Sequence, residues 1–470
     1  MPRRSSSRSR TSTSALPYTV RIISLGCAKN LVDAEVMCGS LAAHGICLTT
    51  DPEAADLTLI NTCGFIQSAR DEASAAIEDA IRWKKAGRRK ALIRRIIVGG
   101  CLAQRSAPEY AKRYPEVDCF IGIDDAPRLH EIVQRLANEA PSATPEILVS
   151  GEAPMWLYDD QSPRIQVTPP SYAYVKIAEG CNHRCSFCAI PGIRGNLRSR
   201  TPESVLAECR QLLANGVSEL VLIAQDTTAY GYDLQPRHDL TALLRQIEAL
   251  PGDFWVRILY THPLHLTPDF LELLGHGKHL VPYLDVPLQH IANPILKSMR
   301  RGMTAEKTRE LMEGIRERYP DMVIRTTFMT GYPGETDEDF QELVAFVQAM
   351  RFDRLGAFAF SPEPDTPAAQ IQTGLVPAPI AESRRKELLA LQKKVSLRCN
   401  QALVGKTLRV LVEERLQKGL WSARSMADAP EVDPVVLIHA ADERSLAINH
   451  FANVQITQGG EYDLTAQLLP

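Results

Sequence analysis

Tyr172-Ala173-Tyr174-Val175-Lys176-Ile177-Ala178 runs directly into Glu179-Gly180-Cys181-Asn182-His183-Arg184-Cys185-Ser186-Phe187-Cys188. The first seven residues are rich in aromatic and β-branched side chains and stop near a glycine, which predicts a strand ending in a loop. The loop sets three thiols at C-x3-C-x2-C spacing. Such a loop can wrap three thiolates round one compact inorganic centre. Zinc is the main competitor, but structural zinc usually takes a closed set of four ligands, commonly in C-x2-C pairs. No second pair follows nearby, and His183 lies inside the loop, where it would strain to join. Three thiolates on a four-iron cluster leave one iron open to a non-protein ligand, which is what chemistry needs.

Downstream, strands and helices alternate. The pattern predicts helices at 202–215, 240–250, 268–275, 305–319 and 338–350. Between them lie predicted strands at 219–224, 255–260, 283–287, 323–330 and 356–361. With the first strand that makes six, so a partial (β/α)6 barrel fits better than a full eight. The cysteine loop follows the first strand, on the carboxyl face where barrel active sites form.

Upstream, the same alternation occurs with a cysteine in each unit. The strand 20–26 stops at Cys27, the strand 57–61 at Thr62-Cys63-Gly64, and the strand 96–100 at Cys101. Helices are expected at 30–44, 67–85 and around 108–114. Strand–helix alternation implies a parallel sheet with ligands beyond the strands' carboxyl ends. Cys27, Cys63 and Cys101 all fall at that end, which points to a convergent metal site. The adjacent glycines let the backbone approach something bulky. Iron–sulfur and zinc both use thiolates, and this spacing does not choose between them.

The 470 residues suggest about three domains. Proline-rich breaks at 141–170 and 362–379 give a basic tail over 1–17, a first domain over 18–134, a core over 165–400 and a small domain over 401–469. Hydrophobic residues at 45% and charged residues at 23% exclude a largely disordered chain. No apolar run is long enough for a membrane span. Eleven cysteines with no secretory signal point to reducing cytoplasm, where thiols stay free for metals. The tail carries Arg3, Arg4, Arg8 and Arg10 and no acid, so the net charge of −3 hides −7 on the rest.

The C-x3-C-x2-C loop, with Phe187 before its last cysteine, resembles that of the radical S-adenosylmethionine (SAM) enzymes. The preceding three-cysteine domain narrows the likeness to the methylthiotransferases. Ser24 to Asp33, Ala224 to Thr228 and Arg424 to Pro430 resemble the RimO-type branch, which modifies an aspartate of ribosomal protein S12. The resemblance implies a [4Fe–4S] cluster on Cys181, Cys185 and Cys188 whose free iron binds SAM, with Phe187 near the adenine. It implies a second [4Fe–4S] cluster on Cys27, Cys63 and Cys101 that carries the sulfur. An electron donor and a sulfur source are implied as partners. The last segment would be a TRAM module, a small antiparallel β-barrel that presents the substrate. The chemistry is coherent: the β C–H of an aspartate is too weak an acid for a general base working near neutral pH. A radical route through a cofactor avoids that carbanion.

A relative of this family acts on adenosine in transfer RNA, and a non-catalytic zinc or RNA-binding module is the alternative of another class. From 401 to 470 there are six basic and nine acidic residues, a balance of −3. Nucleic-acid binding draws on phosphate neutralisation, so an acidic module suits a basic ribosomal protein better than RNA as its main partner. Gly331-Tyr332-Pro333-Gly334-Glu335-Thr336 reads either as a capped turn or as a SAM contact. Gln225 and Asp226 could line the same pocket, while Tyr260, His262 and His290 receive no role. Cys38, Cys47, Cys119, Cys209 and Cys399 read as buried packing.

Overall fold

The computed structural model describes residues 18–89 and 93–469; the basic tail lies outside the described residues. Strands β1 (Thr19–Ser24), β2 (Cys47–Leu48), β3 (Leu57–Thr62), β4 (Arg95–Gly100), β5 (Cys119–Phe120) and β6 (Glu146–Ile147) form one sheet. Its order is β2-β1-β3-β4-β5-β6 and every pairing is parallel. β1, β3 and β4 are the strands legible in the sequence. The other three are two residues long, too short for a periodic signal. β6 extends the sheet past residue 134. Helices α1 (Ala28–Ala43), α2 (Gln67–Arg89), α3 (Cys101–Arg113) and α4 (Leu129–Asn138) cover the sheet. α3 starts at Cys101 itself rather than near 108; Pro108 sits inside it, and the backbone kinks at Ser106, as expected where proline removes a helical donor.

β7 (Tyr172–Lys176) leads into the cysteine loop, which is bracketed by an antiparallel pair, β8 (Ala178–Glu179) and β9 (Arg198–Ser199). β10 (Glu219–Ile223), β11 (Trp255–Ile258), β12 (Tyr283–Asp285), β13 (Val323–Thr330) and β14 (Arg354–Ala359) follow. They stand side by side in chain order, with β11 and β12 joined by one isolated bridge, Val256 to Leu280. This is the expected partial (β/α)6 barrel. Its helices are α5 (Ile190–Arg194), α6 (Pro202–Ala214), α7 (Leu240–Glu248), α8 (Pro268–His276), α9 (Asn293–Ser298), α10 (Ala305–Arg318) and α11 (Asp337–Met350). α6, α7, α8, α10 and α11 begin after Thr201, Asp239, Thr267, Thr304 and Thr336, whose side chains accept a backbone N–H of the first turn. These caps fix where each helix starts.

The two faces of the barrel sheet bury different partners. Outward residues such as Val175, Leu222, Val256 and Ile324 pack on the helices through Leu206, Leu244, Phe270 and Phe346. Inward residues Tyr172, Tyr174, Val221, Trp255 and Tyr283 pack on Val32 and Val36 of α1 and on Leu411 and Ala429 of the last segment. The open barrel is therefore filled by its neighbours. The proline-rich stretch 141–170 is an ordered strap rather than a free linker: Tyr158 is buried, and a Cβ on Gly39 would lie 2.2 Å from the Pro163 carbonyl oxygen.

After α12 (Ala378–Gln401), strands β15 (Thr407–Gln417), β16 (Leu420–Ser425), β17 (Val436–His439), β18 (Phe451–Gly459) and β19 (Leu464–Leu468) close a barrel in the order β15-β16-β17-β19-β18. The expectation of a wholly antiparallel barrel is corrected at one pair, since β17 and β19 are parallel. A closed ring of five strands cannot alternate direction all the way round. Cys38, Cys119 and Cys209 are buried as expected, but Cys47 is exposed and Cys399 half-buried. Cys47 lies on the edge strand β2, where no further strand among the described residues covers it. Among the described residues no helix is long and apolar enough to cross a membrane.

Candidate active site

Cys27 caps the start of α1, Cys63 follows β3, and Cys101 opens α3. Since β1, β3 and β4 are neighbours in the sheet, the three cysteines share one edge. Gly26 has φ +93°, and a Cβ there would fall 2.5 Å from Cys63 Cβ. At Gly100, with φ +87°, a Cβ would meet Asn61 Oδ1 at 2.4 Å. These glycines thus let the three loops approach one another. Asn30 laces the loops together: its Nδ2 donates to Leu25 O at 3.2 Å and Thr62 O at 2.9 Å, and its Oδ1 lies 3.4 Å from Cys101 Sγ. Burial pushes the Cys101 thiol up to about 12 and raises Cys63. At Cys27 burial acts the same way, but Lys29, Arg194 and the N–H groups of Asn30 and Lys29 outweigh it, and the thiol is lowered.

The second triplet is held by its own backbone. Cys181 N–H donates to Gly195 O at 3.1 Å, and Cys188 N–H donates to Cys185 O at 3.1 Å. Ser186 N–H donates to Met299 O at 3.1 Å, its Oγ donates to Ser298 O at 2.7 Å, and its carbonyl accepts Ala368 N–H at 2.8 Å. Tyr332 OH lies 2.8 Å from Ser186 Oγ. Burial raises Cys181 to about 11 and Cys188 to about 12, and Arg301 reaches Cys185 Sγ at 3.5 Å. Phe187 is half-buried and packs on a cluster that includes Ile295, Met299 and Tyr332. The Gly331–Thr336 segment is a capped turn: Glu335 accepts the N–H groups of Gly331 and Tyr332, and Thr336 and Asp339 cap each other.

The loop histidine has partners that sequence reasoning missed. His183 Nε2 lies 2.7 Å from Asp226 Oδ2, and His265 Nδ1 lies 3.0 Å from the same oxygen. The His183 ring stacks on His262 at 3.9 Å. This ties the cysteine loop to the carboxyl ends of β10 and β11. Among the described residues, His183, Asp226 and His265 are the one group of three such side chains whose donor atoms lie within 4.8 Å of one another.

Between the triplets lies a buried charge network. Lys176 Nζ pairs with Asp33 and, at 2.7 Å, with Glu179. Arg194 Nη1 pairs with Asp33 at 2.9 Å and with Glu179 at 2.8 Å, and Gln225 donates to Glu179. Beside Cys185 and Cys188 opens a cavity of about 340 Å³, lined also by Gln104, Arg105, Arg184 and Arg300.

Comparison with known proteins agrees with this geometry. Residues 175–347 match the radical SAM superfamily, 19–122 the uncharacterized protein family UPF0004, and 404–469 the TRAM domain. The chain is 43% identical over 454 residues to the ribosomal protein uS12 methylthiotransferase RimO of Heliobacterium modesticaldum, covering 97% of this chain and 96% of that one. The RimO proteins of Opitutus terrae, 42% identical, and Geobacter sulfurreducens, 41% identical, match over 95% and 96% of this chain and 96% and 98% of their own. Among solved structures, the radical SAM methyltransferase TsrM of Kitasatospora setae superposes with a TM-score of 0.53 over 75% of each chain. Its 15% identity makes this a likeness of fold.

Proposed function

The chain belongs to the RimO family of radical SAM methylthiotransferases, and from that premise we propose that it adds a methylthio group to the β-carbon of an aspartate in ribosomal protein uS12. In this reading Cys181, Cys185 and Cys188 hold a [4Fe–4S] cluster that binds SAM, and Cys27, Cys63 and Cys101 hold a second. The observation that carries it is the convergence of two cysteine triplets on one domain junction, each at the carboxyl ends of parallel strands. When bound, the clusters and SAM supply a carbon-centred radical, the inserted sulfur and the methyl group. The protein's own residues supply position and dryness. Ser186, Tyr332 and the His183–Asp226–His265 group fix the SAM-side loop, while Asn30 fixes the other three loops. We assign Phe187 to the adenine. The cavity beside Cys185 and Cys188 gives the aspartate side chain an approach, and its arginines suit a carboxylate. An electron donor and a sulfur source complete the reaction, in a cytoplasm that keeps thiols reduced.

Anaerobic purification of two triple variants tests this. Cys181, Cys185 and Cys188→Ala should lose SAM cleavage and about half the iron. Cys27, Cys63 and Cys101→Ala should lose the other half, keep SAM cleavage and form no methylthio product. Zinc in place of iron, or cleavage surviving the first change, would overturn the assignment. Mass spectrometry of uS12 and transfer RNA from a deletion strain fixes the substrate. Loss of methylthio-adenosine with unaltered uS12 would replace the proposal with the RNA one.

A further inference from the structure

Arg194 ends α5, the short helix that follows Cys188, yet its side chain works in the other domain. It is 2% exposed. Its Nε and Nη2 lie 3.2 and 3.1 Å from Cys101 Sγ, and Nη2 also donates to Asn30 Oδ1 at 2.5 Å. Nη1 is taken by Glu179 and Asp33, which Lys176 shares. Two cations and two carboxylates are thus balanced in a dry junction, and the one guanidinium with donors to spare aims them at a cysteine sulfur. A planar fork can hold a carboxylate pair with one edge and a sulfur with the other, which a lysine ammonium cannot do.

We propose that Arg194 is a positioning residue for the N-terminal cluster, holding the Cys101 sulfur from the SAM domain and making that cluster easier to reduce. The inference rests on the reading that Cys27, Cys63 and Cys101 hold a cluster. Reduction adds one electron and one negative charge to a cluster. Hydrogen bonds to its sulfurs stabilise the more negative form and raise the potential. A cation held in a low-dielectric junction acts more strongly than one in water. Because Arg194 is six residues from Cys188 in the chain, the same contact also sets the register between the two triplets.

The test uses the full chain carrying Cys181, Cys185 and Cys188→Ala, so that iron reports the N-terminal site alone. Arg194→Lys is compared with Arg194→Met combined with Glu179→Gln, which removes one cation and one carboxylate together and leaves Asp33 paired with Lys176. The midpoint potential is read by anaerobic titration with electron paramagnetic resonance. Both variants should shift it to more negative values, Arg194→Lys by less. Loss of the site's iron in a folded variant would equally support the holding role. A merely structural arginine would lower the melting temperature and leave the potential where it was; unchanged potentials at full iron in Arg194→Lys overturn the proposal even if the double variant fails to fold. If the parent triple variant itself holds no iron, the cluster reading fails, and the proposal falls with it.

Discussion

At the scale of single residues, the N-terminal triplet depends on groups that carry no chemistry. Gly26 combines φ +93° with a neighbour, Cys63 Cβ, at 2.5 Å from where its own Cβ would sit, whereas Gly45 has φ +75° and nothing within 4 Å. Alanine at Gly45 should cost only the left-handed backbone term, about 1–2 kcal/mol. Alanine at Gly26 adds a clash that pushes Cys63 away. Gly26→Ala is therefore expected to lose the iron of the N-terminal site, while Gly45→Ala lowers the urea midpoint and keeps its iron. Equal iron in the two variants would show that the close approach is not needed. The presence of these glycines was legible in the sequence, and so were all six cysteines, because thiols at strand ends stand out against apolar runs. What the glycines approach was not legible, since Asn61 and Cys63 are distant in sequence from Gly100 and Gly26. Asn30 falls within the Ser24–Asp33 motif, yet its lacing of three loops follows only from sheet order.

At the scale of elements, the connection from β16 to β17 is the clearest case of a motif whose task the sequence concealed. Arg424 pairs with Glu219 at 2.6 Å and Glu413 at 2.8 Å, and Met426 O accepts from Arg257 at 2.9 Å. Asp428 pairs with Arg354 at 2.6 Å, and Glu431 accepts from Tyr172 and Tyr174 at 3.0 Å each. These partners project from β7, β10, β11, β14 and β15, and periodicity in one sequence records no such pairing. Arg424→Met would leave Glu219 with Arg257 as its remaining cation and Glu413 without its own, a loss of about 3–5 kcal/mol for breaking a buried pair, read as a fall in melting temperature. Burial pushes the Glu219 carboxyl upward, but Arg424 and Arg257 more than reverse it, and its folded value is lowered. A lowered carboxylate contributes stability that is present above its unfolded value, about 4.3, and is lost as pH falls towards the folded one. The wild type should therefore lose melting temperature below about pH 4.3, and Glu219→Gln, destabilised at neutral pH, should lack that component of the acid loss. A variant whose acid profile parallels the wild type would remove Glu219 from the account.

At the scale of the whole molecule, the sequence revealed the parallel strands because, buried on both faces, they read as apolar runs, as in Leu57–Ile60 and Ile96–Val98. It did not show that the partial barrel is completed by other domains, because inward residues such as Tyr172, Glu219, Arg257 and Tyr283 mix polar and aromatic types without a pattern. The barrel module was expected to present substrate. It docks on the amino ends of the strands: Ser171 precedes β7 and donates to Glu413, and Asp253 precedes β11 and pairs with Arg409 at 2.6 Å. The cysteines lie at the opposite, carboxyl ends. The module therefore has a second task, which is to fill and neutralise the lower lumen. Removing residues 404–469 would uncover Glu219, Arg257, Arg325 and Arg354 together and expose Tyr283. A truncated chain should then lose cooperative melting, and with it the SAM cleavage that occurs in the absence of protein substrate. If the module served only to present uS12, the truncated chain would melt as before and cleave SAM without methylthiolating anything, and that result would reduce the docking to a tether.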